Sequence, residues 1–130
     1  MKLKIITHEK IVYEGEADEL VIQTKTGQMG ILKDHVPVTT TLDIGVTKAV
    51  HEGVSKYFAT MGGIFQFKDN VATVLTDICE ADSEIDVTRA NAAKSRAEAR
   101  LADAAADIDA QRAQAALARS LARLKAAMNK

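Results

Sequence analysis

From Ile85 to Met128 the chain contains neither glycine nor proline. Such a stretch lacks both residues that ordinarily break a helix. Ala, Arg, Leu, Glu, Gln and Lys dominate it, and all are strong helix formers. Just upstream, Asp82, Ser83, Glu84 and Asp86 gather oxygen acceptors and negative charge, as a helix start requires to satisfy its free N–H groups and complement its dipole. The residues that shape turns lie elsewhere. All seven glycines, the single Pro37 and all five aromatic residues precede residue 70, whereas 17 of the 22 alanines follow residue 88. We therefore read two units, residues 1–84 and residues 85–130.

The first unit alternates with the period of strands. In Leu20-Val21-Ile22-Gln23-Thr24, the residues Leu20, Ile22 and Thr24 share one face; in Ile64-Phe65-Gln66-Phe67-Lys68 the two phenylalanines share another. Turn signals recur at Glu14-Gly15, Thr26-Gly27, Lys33-Asp34, Ile44-Gly45, Glu52-Gly53, Gly62-Gly63 and Asp69-Asn70. Eight to ten strands fit that spacing, which predicts an antiparallel β-sandwich of about ten short strands.

The second unit reads as a two-helix hairpin, because it repeats itself. Arg89–Leu101 and Arg112–Leu124 agree at 8 of 13 aligned positions. The segment Asp103-Ala104-Ala105-Ala106-Asp107-Ile108-Asp109 offers the turn between them, with Asp107 or Asp109 as the second N-cap. The repeat preserves arginine spacing: Arg89, Arg96 and Arg100 are 7 and 4 apart, and so are Arg112, Arg119 and Arg123. At about 100° per residue each trio forms a stripe on one helix face. Two readings of the stripes stand open. They are solvated faces that meet an acidic partner, or, if the helices fold together, guanidiniums converging on an anion that their planar forks can grip.

Charge follows the same border. Residues 1–87 carry 8 lysines and 14 acids, a charge of −6, and residues 88–130 carry 9 basic and 4 acidic groups, a charge of +5. The apolar face of the hairpin is thin, with Leu117, Leu121, Leu124 and Met128 at helical spacing on the second helix and little beyond Leu101 on the first. At about 1.5–3 kcal/mol per buried large side chain, such an interface is worth only several kcal/mol before ordering costs. The hairpin is thus expected to move, folded against the sandwich in one state and opened in another.

Several classes of function are disfavoured. A length of 130 residues fits one ordinary domain with a small appendage, not a multidomain enzyme. No apolar run reaches membrane-spanning length, and Met1-Lys2-Leu3-Lys4-Ile5-Ile6 is too short and charged for a signal peptide, so a soluble protein of a reducing compartment is expected, with the single Cys79 unable to staple it. His8, His35 and His51 lack partners at metal-ligand spacing, and no nucleophile and base stand together. His35 reads as a turn or interface residue. Nucleic acid is a poor fit, since the basic residues are not interleaved with aromatics and the net charge is −1.

At this point the chain resembles a known family along its whole length, the ε subunit of the F-type, proton-translocating ATP synthase. The sandwich carries that family's central segment as Gly27-Gln28-Met29-Gly30-Ile31-Leu32-Lys33-Asp34-His35-Val36-Pro37, with Gly62-Gly63 before a Phe-rich strand. The helical unit opens with Ile85-Asp86-Val87-Thr88-Arg89-Ala90, which matches the I/L-D-x-x-R-A motif of bacterial subunits that bind ATP. The resemblance implies a non-catalytic stalk protein, peripheral on the cytoplasmic side of the bacterial membrane. Its sandwich would bind the γ subunit and rest on the ring of c subunits through Gln28, Met29, Gly30, His35 and Pro37, coupling proton flow to ATP synthesis. Its helices would extend towards the α and β subunits to inhibit ATP hydrolysis, or fold beside the sandwich when ATP, as a regulatory ligand and without a required metal, is bound. The residues implied for ATP are Glu80, Ile85, Asp86, Arg89, Arg96, Arg119 and Arg123, with the arginines on phosphates and Glu80 and Ile85 near adenine. Asp86 alternatively caps the helix or pairs with Arg89.

The sequence departs from the family pattern at Gln28, where an acidic residue is common, and at Lys33-Asp34, where Pro-Gly is common. Both lie on the segment expected to face the c ring. A reading from another class is a free-standing ATP-sensing module, which would respond to ATP without a γ-like partner.

Overall fold

A computed structural model describes residues 1–103 and 107–128. The alternating pattern folds into eight strands: β1 (Lys2–Ile6), β2 (Ile11–Glu16), β3 (Glu19–Thr24), β4 (Gly27–Leu32), β5 (Val38–His51), β6 (Val54–Lys68), β7 (Val71–Leu75) and β8 (Cys79–Ala81). Their order is β2-β1-β7-β6-β5-β3-β4, with β8 pairing to β6. The β-sandwich followed by two helices is the expected architecture, with two differences in detail. There are eight strands among the described residues, the low end of the eight to ten expected, because Ile44-Gly45 and Gly62-Gly63 do not end strands: β5 and β6 run through them for 14 and 15 residues. One pair, β1 with β7, is parallel.

The two long strands let one hydrogen-bonded path serve both layers. Before Gly62-Gly63, β6 pairs with β8, and after it with β7. Both glycines have positive φ, 76° and 119°, and a Cβ at Gly63 would collide with the Leu75 carbonyl oxygen. Only glycine fits this corner.

The alternating residues meet as read. Leu20, Ile22 and Thr24 are buried, as are Phe65 and Phe67, and they share the core with Leu3, Ile5, Ile31, Leu42, Phe58 and Val74. Between the layers' polar ends, Thr47 Oγ1 and Thr60 Oγ1 satisfy each other at 2.9 Å. At one end of the sandwich the Asp34 N–H donates to Asn70 Oδ1 at 2.8 Å and Asn70 Nδ2 donates to Asp34 Oδ1 at 2.9 Å. This reciprocal pair ties the β4–β5 loop to the β6–β7 turn.

A 3₁₀ turn, Asp82–Glu84, leads into helix α1 (Val87–Ala102), and α2 spans Asp107–Met128. Of the segment 103–109 expected to hold the turn, residues 104–106 lie outside the described residues; Asp107 is the first residue of α2, and Asp109 is inside the helix and does not begin it. α2 packs on β5 and β6, and α1 packs on α2, so α2 is the middle layer. The faces that meet are not the leucines. Ala122 and Ala126 bury against Ala59 of β6 and Ile85 of the link into α1, with Ile44, Val46, Tyr57 and Met61 of β5 and β6 packed partly against them, while Ala90 and Ala97 of α1 and Ala113 and Ser120 of α2 are also buried. The expected leucine face is corrected: Leu121 is 45% and Met128 83% exposed, and Leu117 and Leu124 are half-buried. Alanine permits close axis separation, and larger side chains are displaced to the rim. The Ser120 hydroxyl, buried on α2, is satisfied by donating to the Ala116 carbonyl at 3.0 Å. No helix among the described residues is long and apolar enough to cross a membrane.

Candidate functional site

Where β8, the 3₁₀ turn and the two helices converge there is a cleft of about 390 Å³. β8 supplies Glu80, the turn Glu84, α1 Arg89 and Arg96, and α2 Arg123; Ala90 and Ala93 form a wall without bulk. The two α1 arginines share this wall because seven residues are nearly two full turns. Arg123 reaches it because its neighbours Ala122 and Ala126 are buried on the sandwich.

Asp86 also lines the cleft, and its carboxylate has a defined task. It is the N-cap of α1, with Oδ1 accepting the Arg89 N–H at 3.0 Å. The remaining N–H groups of that first turn place the positive end of the helix dipole beside the arginines. Glu80 is committed too: Arg123 Nε donates to Glu80 Oε1 at 2.9 Å, and the two side chains are only 24% and 29% exposed. Three guanidiniums and three carboxylates therefore face one space, with Glu80 and Asp86 already hydrogen-bonded. Arginine forks beside a helix N-terminus suit an anion with several oxygens.

Of the residues expected from the sequence, Glu80, Asp86, Arg89, Arg96 and Arg123 come together here. Arg119 stands one turn before Arg123, half-buried and outside the cleft lining. Ile85 is buried in the joint with Ala59, Ala122 and Ala126 and is also outside the lining. The arginine stripes converge in part, since Arg100 and Arg112 are exposed elsewhere. Glu84 also lines the cleft, a placement the sequence does not signal, because its acidic run serves equally as a helix start.

The residues expected at a docking face divide between two ends of a strand. Gln28, Met29 and Gly30 belong to β4, whereas His35 and Pro37 lie in the loop after it. Gln28 is exposed and Met29 packs partly on the core. His35 is fixed by Nδ1 against the Val36 carbonyl at 2.6 Å and by an edge-on contact with Phe67.

Among the described residues, no group of three or more His, Cys, Asp or Glu is placed to hold a metal ion. Cys79, next to Glu80, is buried, and burial pushes its thiol up to about 11. A thiol so raised is a poor nucleophile.

Comparison with known proteins agrees with this architecture. Residues 1–82 match the family model for the ATP synthase, Delta/Epsilon chain, beta-sandwich domain, and residues 83–128 that for its long alpha-helix domain. The chain is 48% identical over 104 residues to the ATP synthase epsilon chain of Symbiobacterium thermophilum, covering 79% of this chain and 75% of that one. It is 39% identical over 100 residues to that of Caldanaerobacter subterraneus, covering 76% and 72%. Its fold is similar to a chain of the Euglena gracilis mitochondrial ATP synthase, with a TM-score of 0.83, 22% identity and coverage of 97% of this chain and 79% of that chain.

Proposed function

The chain belongs to the ε-chain family of ATP synthase and is a non-catalytic subunit of its central stalk; on that premise we propose that its hairpin is a regulatory arm latched by ATP. ATP occupies the cleft, with Arg89, Arg96 and Arg123 on its phosphates, and holds α1 and α2 folded against the sandwich. Without it the helices extend towards the α and β subunits and inhibit ATP hydrolysis. The sandwich docks on γ and on the c ring, at the cytoplasmic face of the bacterial membrane, and so couples proton flow to ATP synthesis. In support of that docking, a structural neighbour comes from the central stalk and c ring of the Tetrahymena thermophila mitochondrial ATP synthase.

The observation that carries the latch is the origin of the three arginines. Two come from α1 and one from α2, and they line a single cleft. A polyanion bridging them favours the folded state by its own binding energy. At about 100 times its dissociation constant a ligand contributes about 2.7 kcal/mol, a shift of about 100-fold towards the folded state. Calorimetric titration of the chain with ATP tests the reading. Saturable binding that is weakened in Arg96→Ala and in Arg123→Ala is expected; absence of heat at millimolar ATP would remove the ligand, and equal binding by both variants would remove the arginines.

A further inference from the structure

We infer that Glu80 is the positioning residue of this cleft, presenting Arg123 to the phosphates rather than reading the base. The inference rests on the cleft being a nucleotide site and deepens it.

The Glu80–Arg123 pair crosses the joint between sheet and helix, 43 residues apart in the chain. Glu80 is held in a ladder, opposite Ala59 of β6, so its carboxylate is a fixed point of the sandwich. Arg123 belongs to α2, the arm that the proposed latch would hold. Between them is one hydrogen bond of 2.9 Å through Nε. That choice of nitrogen matters, because an arginine has five N–H donors and four of them are on the two Nη groups. A guanidinium anchored by Nε keeps its outer edge for a second, bidentate acceptor. With its long side chain anchored, Arg123 also loses less freedom when a phosphate binds.

Charge alone makes the opposite prediction. Glu80 is a carboxylate lining an anion site, so deleting it should tighten polyanion binding. A base-reading Glu80 makes a third: deleting it should weaken ATP and leave a ligand without a base unaffected. Positioning predicts that both ligands weaken together.

Titration of the full chain with ATP and with inorganic tripolyphosphate separates the three. Glu80→Ala should weaken both ligands by the same factor, about tenfold, which corresponds to about 1.4 kcal/mol. Glu80→Gln, whose amide oxygen still accepts from Nε, should recover part of that loss. In an Arg123→Ala background, Glu80→Ala should cost nothing further, because it acts through Arg123. Amide exchange of α2 in each variant shows whether the hairpin remains docked, and the comparison uses variants in which it does. Tighter tripolyphosphate binding, or loss confined to ATP, would overturn the positioning role while leaving the site intact. Silence of the unaltered chain towards both ligands would overturn the nucleotide site and the positioning role together.

Discussion

Replacing Ala126 by leucine tests how the hairpin is held. Ala126 is fully buried where α2 meets the sheet, beside Ala59, Ala122 and Ile85. The four buried residues contribute about 1.5–3 kcal/mol from one isoleucine and about 0.8 kcal/mol from each of three methyl groups, roughly 4–5 kcal/mol gross, and the partly buried Ile44, Val46, Tyr57 and Met61 packed against them add to it. Ordering the arm consumes part of this. Three extra carbons at the fully buried Ala126 cost about 1–3 kcal/mol through overpacking. Because Ala126 touches the second cluster and not the sandwich core, the cost should fall on docking alone. Amide exchange should show α2 losing roughly 5- to 150-fold in protection, the equivalent of that cost, while β1, β3 and β7 keep theirs. Unchanged α2 protection, or an equal loss throughout the sandwich, would refute the description of the joint as an interface separate from the sandwich core.

Further outcomes follow from single residues. Burial raises the Cys79 thiol from 9.0 to about 11, so between those values the folded state keeps a proton that the unfolded state releases, and stability should fall as pH rises from about 9 to 11 by at most about 1.4 kcal/mol per unit. Chemical denaturation should show that slope diminished in Cys79→Ala. Gly63→Ala, at φ 119° and against the Leu75 carbonyl, should lower sandwich stability by more than about 2 kcal/mol, read as a drop in denaturation midpoint. Asp86→Ala removes the α1 cap and should cost about 1 kcal/mol, whereas Asp86→Asn should restore it; helical circular dichroism distinguishes them. Truncation after Glu84 should leave a folded sandwich that binds γ and should raise ATP hydrolysis by the assembled enzyme, since inhibition is assigned to the helices.

Much of this architecture is legible in the residues, and the failures have physical causes. Leu20, Ile22 and Thr24 reveal their strand because a pleat sends alternate side chains to one face, and the burial of all three follows. The arginine stripe of α1 is equally readable, since spacings of seven fix a face. Gly62-Gly63 signals a turn but bends a strand, because positive φ serves both alike. The parallel β1–β7 pairing joins segments some 70 residues apart, which no local alternation encodes. Leu121 and Met128 misled because helical periodicity identifies a stripe without saying whether its neighbour is near enough to bury it. The site was half visible: Arg89 and Arg96 follow from one helix, but which of Arg119 and Arg123 reaches them depends on the angle between helices.

The latch itself is tested most directly by amide exchange across Val87–Met128 in the unaltered chain, with and without saturating ATP, beside Arg96→Ala. ATP should slow exchange in both α1 and α2, by about 100-fold at 100 times the dissociation constant, leave the sandwich core unaffected, and not slow the helices of the variant. Bound ATP with unchanged exchange in the helices would contradict the latch.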